Sequence, residues 1–140
     1  MPAPLVLHAT TIAFDGKGIL LTGASGSGKS SLALQLMAIG ASLVADDRTV
    51  LTKQEDMVVA SSPATIAGLI EARGVGILRV DFQAQAAVSL VVDMDQIETD
   101  RLPALRSITI LGQRLALVLG SKSPHFPAAL KHLAFQGRWG

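Results

Sequence analysis

The sequence contains no cysteine, which excludes disulfides and thiolate metal centres. Charge is scarce: 16% of residues are Asp, Glu, Lys or Arg, against roughly 25% in an ordinary soluble domain. Neither sign dominates. A net charge of +1 argues against a polybasic nucleic-acid binder and against an acidic tail. No apolar run approaches the ~18–20 residues of a membrane-spanning helix. The opening stretch, MPAPLVLHATT, lacks the basic flank and long apolar core of a secretory leader. The expected home is therefore the cytoplasm, with no nucleic-acid or membrane partner.

What is present is mostly apolar. Hydrophobic residues make up 49% and the mean hydropathy is +0.46, so disorder is not expected. The surplus of apolar surface predicts oligomerisation. At 140 residues the chain is expected to form one domain, residues 1–140, burying roughly 68–70% of its unfolded surface.

Leu5 to Phe14 reads as a strand, Asp15 to Gly18 as a turn and Ile19 to Thr22 as the returning strand of a hairpin. A glycine- and serine-rich loop follows, then a helix from Lys29 to Ile39 with Leu32, Ala33, Leu36 and Met37 on one face and Gly40 as its cap. Leu43-Val44-Ala45 is a short buried strand. Strand, helix and strand together predict a parallel βαβ unit. Further along, Thr49–Lys53 and Met57–Ala60 form a second hairpin, and Ile66–Ala72 a short helix or turn. Strands are expected at Val75–Val80, Ala87–Val92, Ile108–Ile110 and Leu115–Leu119, with a last helix at Pro127–Phe135. Strands outnumber helices, which predicts an α/β fold with a mixed sheet.

Gly23-Ala24-Ser25-Gly26-Ser27-Gly28-Lys29-Ser30 matches G-x-x-x-x-G-K-[ST] in full. Its glycines let backbone N–H groups turn inward around phosphate oxygens, and the next helix points its positive end at the same anion. Lys29 is placed to reach the β- and γ-phosphates of a nucleotide or other polyphosphate, and Ser30 to ligate Mg²⁺. A flexible glycine loop alone would not explain the lysine at the helix entrance.

Asp46 and Asp47 end the following strand, the end where ligands sit in open α/β sheets. Adjacent residues on a strand face opposite ways. One carboxylate can face a metal-bound water and the other an incoming hydroxyl, although Asp also commonly ends strands as a turn residue. A symmetric Asp15–Gly18 turn would set His8 opposite Ser25, beside the phosphates. His125 and His132 read as surface residues. In Glu71-Ala72-Arg73-Gly74-Val75-Gly76, Glu71 can complete a metal shell and Arg73 can bind phosphate. The alternative is a turn with a surface ion pair.

The segments LHATTIAFDGKGILLTGASGSGKS, SLVADDRTVL, IEARGVGILRV and ETDRLP together resemble the C-terminal catalytic domain of the HPr kinase/phosphorylase family, in a short form without the N-terminal domain. The resemblance implies a phosphate-loop fold related to phosphoenolpyruvate carboxykinase and a hexameric assembly. It implies ATP-dependent phosphorylation of a serine on HPr, a phosphotransferase-system carrier, and phosphate-driven removal of that group with release of pyrophosphate. It makes Asp47 the group that takes the serine proton, Asp46 its metal-side neighbour and His8 the catalytic histidine. Lys29 becomes a catalytic electrophile, Glu71 the second metal ligand and Arg101 a catalytic arginine. Ile108 to Arg114, where the family carries a phosphorolysis motif, keeps Gly112 and Arg114 but has no proline or lysine. A small-molecule kinase and a non-catalytic nucleotide switch are the competing readings.

Overall fold

The computed structural model describes residues 3–139. Its strands are β1 (Leu5–Leu7), β2 (Ala9–Phe14), β3 (Lys17–Thr22), β4 (Ser42–Ala45), β5 (Thr49–Gln54), β6 (Met57–Ser61), β7 (Leu69–Ala72), β8 (Gly76–Arg79), β9 (Gln85–Ile97), β10 (Arg106–Ile110) and β11 (Gln113–Gly120). Two α-helices accompany them, α1 (Lys29–Ala38) and α2 (Phe126–Gln136).

The main sheet runs β1-β5-β6-β9-β3-β2-β4, with β11 also pairing with β9 and carrying β10 at its edge. β9 is the spine. It runs parallel to β3 and to β11, and its first residues pair antiparallel with β6. Successive side chains of β3 enter two different cores, as strand alternation requires. Ile19 and Leu21 pack with Leu32, Leu36 and Leu130 beneath the helices. Leu20 packs with Val44, Leu51, Val58 and Val91 on the opposite face, where the β5–β6 hairpin curls over.

Four expectations from the sequence need correction. The first strand breaks at His8: β1 pairs with β5, whereas β2 pairs with β3. The hairpin after β2 is tighter than a four-residue turn. Phe14 pairs with Lys17 and Ala9 with Thr22, because Asp15 (φ 48°) and Gly16 (φ 80°) both take the positive φ of a two-residue type I′ turn. Next, β3, α1 and β4 do not form a simple βαβ unit. β2 lies between β3 and β4 and is antiparallel to both. Finally, Ile66–Ala72 is not a helix. A 3₁₀ turn spans Ala64–Ile66, and Leu69–Ala72 pairs with Gly76–Arg79 as a separate hairpin.

Candidate active site

β3 ends at Thr22 and α1 begins at Lys29, so the intervening loop wraps the helix N-terminus. Among the described residues α1 has no capping side chain and no acid in its first turn. Its first amides therefore remain free for an external anion. Gly23 has φ +143°, and a Cβ there would lie 2.7 Å from Ser27 Oγ. Only glycine lets the loop close this tightly. Lys29 is just 6% exposed. Its ammonium donates to the carbonyls of Gly23 and Ala24 at 2.6 and 2.9 Å. Ser27 Oγ is buried without a partner among the described residues. Buried hydroxyls are rarely left so, and a phosphate oxygen in the loop would complete it.

Asp46 and Asp47 lie just past β4 and not on it, so strand alternation does not place them. The fold separates their roles in another way. Asp46 is 8% exposed and gathers three donors. Its Oδ1 accepts from Ser30 Oγ at 2.7 Å and Thr10 Oγ1 at 3.0 Å, and its Oδ2 accepts the Glu71 N–H at 3.0 Å. The Asp47 side chain is 63% exposed. Its Oδ1 lies 2.5 Å from His8 Nε2. The Asp47 N–H donates to Thr10 Oγ1 at 3.2 Å, so Thr10 stands between the two aspartates. Nothing in the sequence singles out Thr10; it is one of two adjacent threonines in its strand, and only the β2–β4 pairing brings it here.

Asp47 also carries the strain of the site. Its φ is +68°, and the Arg48 N–H donates to the Asp46 carbonyl across it at 2.8 Å. That is a γ-turn of the rare positive-φ kind, a conformation that costs on the order of 1–3 kcal/mol. The turn swings the carboxylate out of the buried network and onto a cavity of about 300 Å³ lined by Val6, Leu7, His8, Asp47 and Arg48.

The structure thus brings together Gly23 to Ser30, Asp46, Asp47 and His8. Glu71 reaches the group through its backbone, and its side chain is exposed. Among the described residues no three His, Asp or Glu side chains converge as a metal cage. The oxygen pair of Ser30 and Asp46 is of the kind that suits Mg²⁺, which keeps much of its own water. Arg73 is exposed in the β7–β8 turn, and His125 and His132 are exposed as expected. In the 108–114 segment, Arg114 donates to Ser107 Oγ at 3.0 Å.

Arg101 is not drawn into this network. It is exposed on the 98–105 segment with no side-chain partner among the described residues. That segment is anchored by Glu98. Its carboxylate accepts the N–H groups of Thr99 and Asp100 at 3.1 and 3.2 Å and the Arg106 guanidinium at 2.9 Å. The Asp100 N–H, with Arg106 and Thr99, holds the Glu98 pKa below the ordinary glutamate range against the opposing effect of desolvation. A depressed folded-state pKa contributes stability above the unfolded value, and this is lost as pH falls through the folded one. Wild-type protein should therefore melt above Glu98→Gln at neutral pH, with the gap closing as pH falls through the lowered folded-state pKa of Glu98. A gap that ignores pH would show that the carboxylate charge contributes nothing.

The family model described as the HPr serine kinase C-terminal domain matches residues 2–113. The chain belongs to this family. The HPr kinase/phosphorylase of Listeria monocytogenes is 35% identical over 108 residues, 71% of this chain and 35% of the relative. That of Clostridium tetani is 41% identical over 91 residues, 65% of this chain and 29% of the relative. The chain therefore spans about a third of the length of these HPr kinase relatives. The solved structure of the HPr(Ser) kinase/phosphatase from Coxiella burnetii matches with a TM-score of 0.77 and 26% identity, over 92% of this chain and 93% of that one. The expected phosphate-loop, phosphoenolpyruvate carboxykinase-like α/β fold with few helices is borne out. Among the described residues no helix is long and apolar enough to cross a membrane.

Proposed function

We propose that this single domain transfers the terminal phosphoryl group of ATP to a serine of an HPr-like carrier protein. One observation carries the reading. The hydrogen-bonded series Ser30–Asp46–Thr10–Asp47–His8 links the start of the phosphate-loop helix to an exposed carboxylate on an open cavity. Nucleotide phosphates belong on one end of that series and a visiting hydroxyl on the other.

Residues Gly23, Ala24, Ser25, Gly26, Ser27, Gly28, Lys29 and Ser30 hold the phosphates through backbone amides, with the Ser27 hydroxyl and the Lys29 ammonium completing the contacts. Lys29 must leave the Gly23 and Ala24 carbonyls to do so, a short swing of one flexible side chain. A magnesium ion held by Ser30 and Asp46, with Glu71 nearby, would offset phosphate charge. Asp47 accepts the serine proton as the new O–P bond forms and the bond to the ADP oxygen breaks. His8 orients that carboxylate through the Nε2–Oδ1 contact. By family resemblance Arg101, exposed on the 98–105 segment, is the group that offsets charge on the transferring phosphoryl group.

The names of the relatives include a phosphorylase activity, and the same carboxylate can return a proton when inorganic phosphate attacks phosphoserine. Exposed Val75, Ile77, Leu102 and Leu105 supply apolar surface for a homo-oligomer, a hexamer by family resemblance. An ATP-consuming reaction of this kind belongs in the cytoplasm.

The test incubates the protein with radiolabelled ATP, Mg²⁺ and HPr, then adds inorganic phosphate. Acid-stable label on an HPr serine is expected, followed by labelled pyrophosphate if the reverse reaction operates. Tight ATP binding without label on HPr would favour a nucleotide switch. Label on a small alcohol in place of HPr would favour a small-molecule kinase. Either result overturns the proposal.

A further inference from the structure

The phosphate loop is braced from a strand outside its own motif. β9 lies parallel to β3 with Thr22 beside Asp93, so the residues after Val92 run on past the end of β3 and flank the loop. There Asp95 Oδ1 accepts the Ala24 N–H at 2.9 Å. The contact is prepared one step back. Asp93 accepts the Asp95 N–H through Oδ1 at 2.9 Å and the Gln96 side-chain amide through Oδ2 at 2.8 Å. Met94 lies against the loop as well: a Cβ on Gly23 would sit 3.1 Å from Met94 Cβ.

The chemistry of this brace conflicts with that of the loop it supports. Loop amides and a helix N-terminus favour an anion. A fixed carboxylate bonded to the same loop opposes one by simple repulsion. An uncharged amide side chain could accept the Ala24 N–H equally well. No cation pairs with Asp95 among the described residues, where Arg106 pairs with Glu98 and His8 contacts Asp47.

We infer that Asp95 is a positioning residue that holds the first turn of the phosphate loop while its charge weakens the loop's grip on anions, so that bound nucleotide is released more readily. The inference rests on the nucleotide reading above and concerns the affinity of that site.

Asp95→Asn and Asp95→Ala separate the two effects, with ATP titrated into the full chain by calorimetry. Asp95 is exposed, so neither change should disturb a core, which thermal melts of both variants check. Asparagine keeps the acceptor and removes the charge. It should lower the Kd for ATP by about threefold to tenfold at low ionic strength. That gain should fade in roughly 0.5 M salt, a dependence that a purely structural role does not produce. The gain should also be smaller for ADP, which carries less charge. Alanine removes both charge and acceptor, and should bind ATP about threefold or more weaker than the asparagine variant. An asparagine variant that binds no tighter than wild type, or a gain indifferent to salt, overturns the electrostatic role. An alanine variant equal to asparagine overturns the positioning role. Wild-type protein that binds no ATP at all overturns the nucleotide reading and this inference with it. Wild-type binding that both variants merely reproduce overturns this inference alone.

Discussion

Asp47→Asn is expected to lower phosphoryl transfer to HPr by about 10²–10⁴-fold, the usual contribution of a positioned proton acceptor, while leaving ATP binding essentially intact. Asparagine is nearly the same size and tolerates positive φ at least as well as aspartate. It cannot take a proton at neutral pH. Because Asp47 is exposed and donates only its N–H to the buried network, the fold should not feel the change. The γ-turn yields a second, opposite expectation. Glycine adopts φ +68° without penalty, so Asp47→Gly should be as inactive as asparagine yet more stable by about 1 kcal/mol. Single-turnover transfer rates, nucleotide titration and urea unfolding test these claims together. Wild-type rates in the asparagine variant would remove Asp47 from the chemistry. A destabilised glycine variant would show that the backbone there is unstrained.

Asp46→Ala should act in the other direction, on stability first. It would leave the Thr10 hydroxyl, the Ser30 hydroxyl and the Glu71 N–H without their shared acceptor. The Thr10 donor is buried and the other two are partly buried; each so abandoned costs about 1–3 kcal/mol, partly recovered where a hydroxyl can turn elsewhere or water can reach. A loss of about 3–5 kcal/mol follows, which for a domain this size lowers the melting temperature on the order of 10 °C. Ser30→Ala removes a single donor and should cost only about 1 kcal/mol. The contrast is the useful measurement. If the two variants melt together, Asp46 is not the hub that its contacts describe, and the coupling of phosphate loop to acceptor side through it is lost.

The difference between these two neighbours was not visible in the chain. Alternation along a strand predicts opposite faces for Asp46 and Asp47, but both lie beyond β4. A γ-turn, and not strand geometry, turns one inward and the other out. Thr10 and Asp95 were missed for a related reason. Each matters because of what another strand brings beside it, and sheet register depends on partners far away in sequence. The misplaced hairpin register and the intervening β2 have the same origin. β3 and β4 are parallel with or without a strand between them, so a local strand–helix–strand pattern cannot distinguish the cases. The misread Ile66–Ala72 stretch is a short apolar run, which periodicity alone cannot assign to helix or strand.

Local chemistry alone decides that this chain turns a glycine-rich loop into a helix with a lysine and a serine at its mouth, since backbone freedom and an uncapped helix end are properties of neighbouring residues. It also decides that two carboxylates follow close behind. Which carboxylate is buried, which meets His8, and which acid from β9 leans on the loop are settled by strand pairing. Those pairings join residues separated by dozens of positions, and their energy is realised only when both cores close at once.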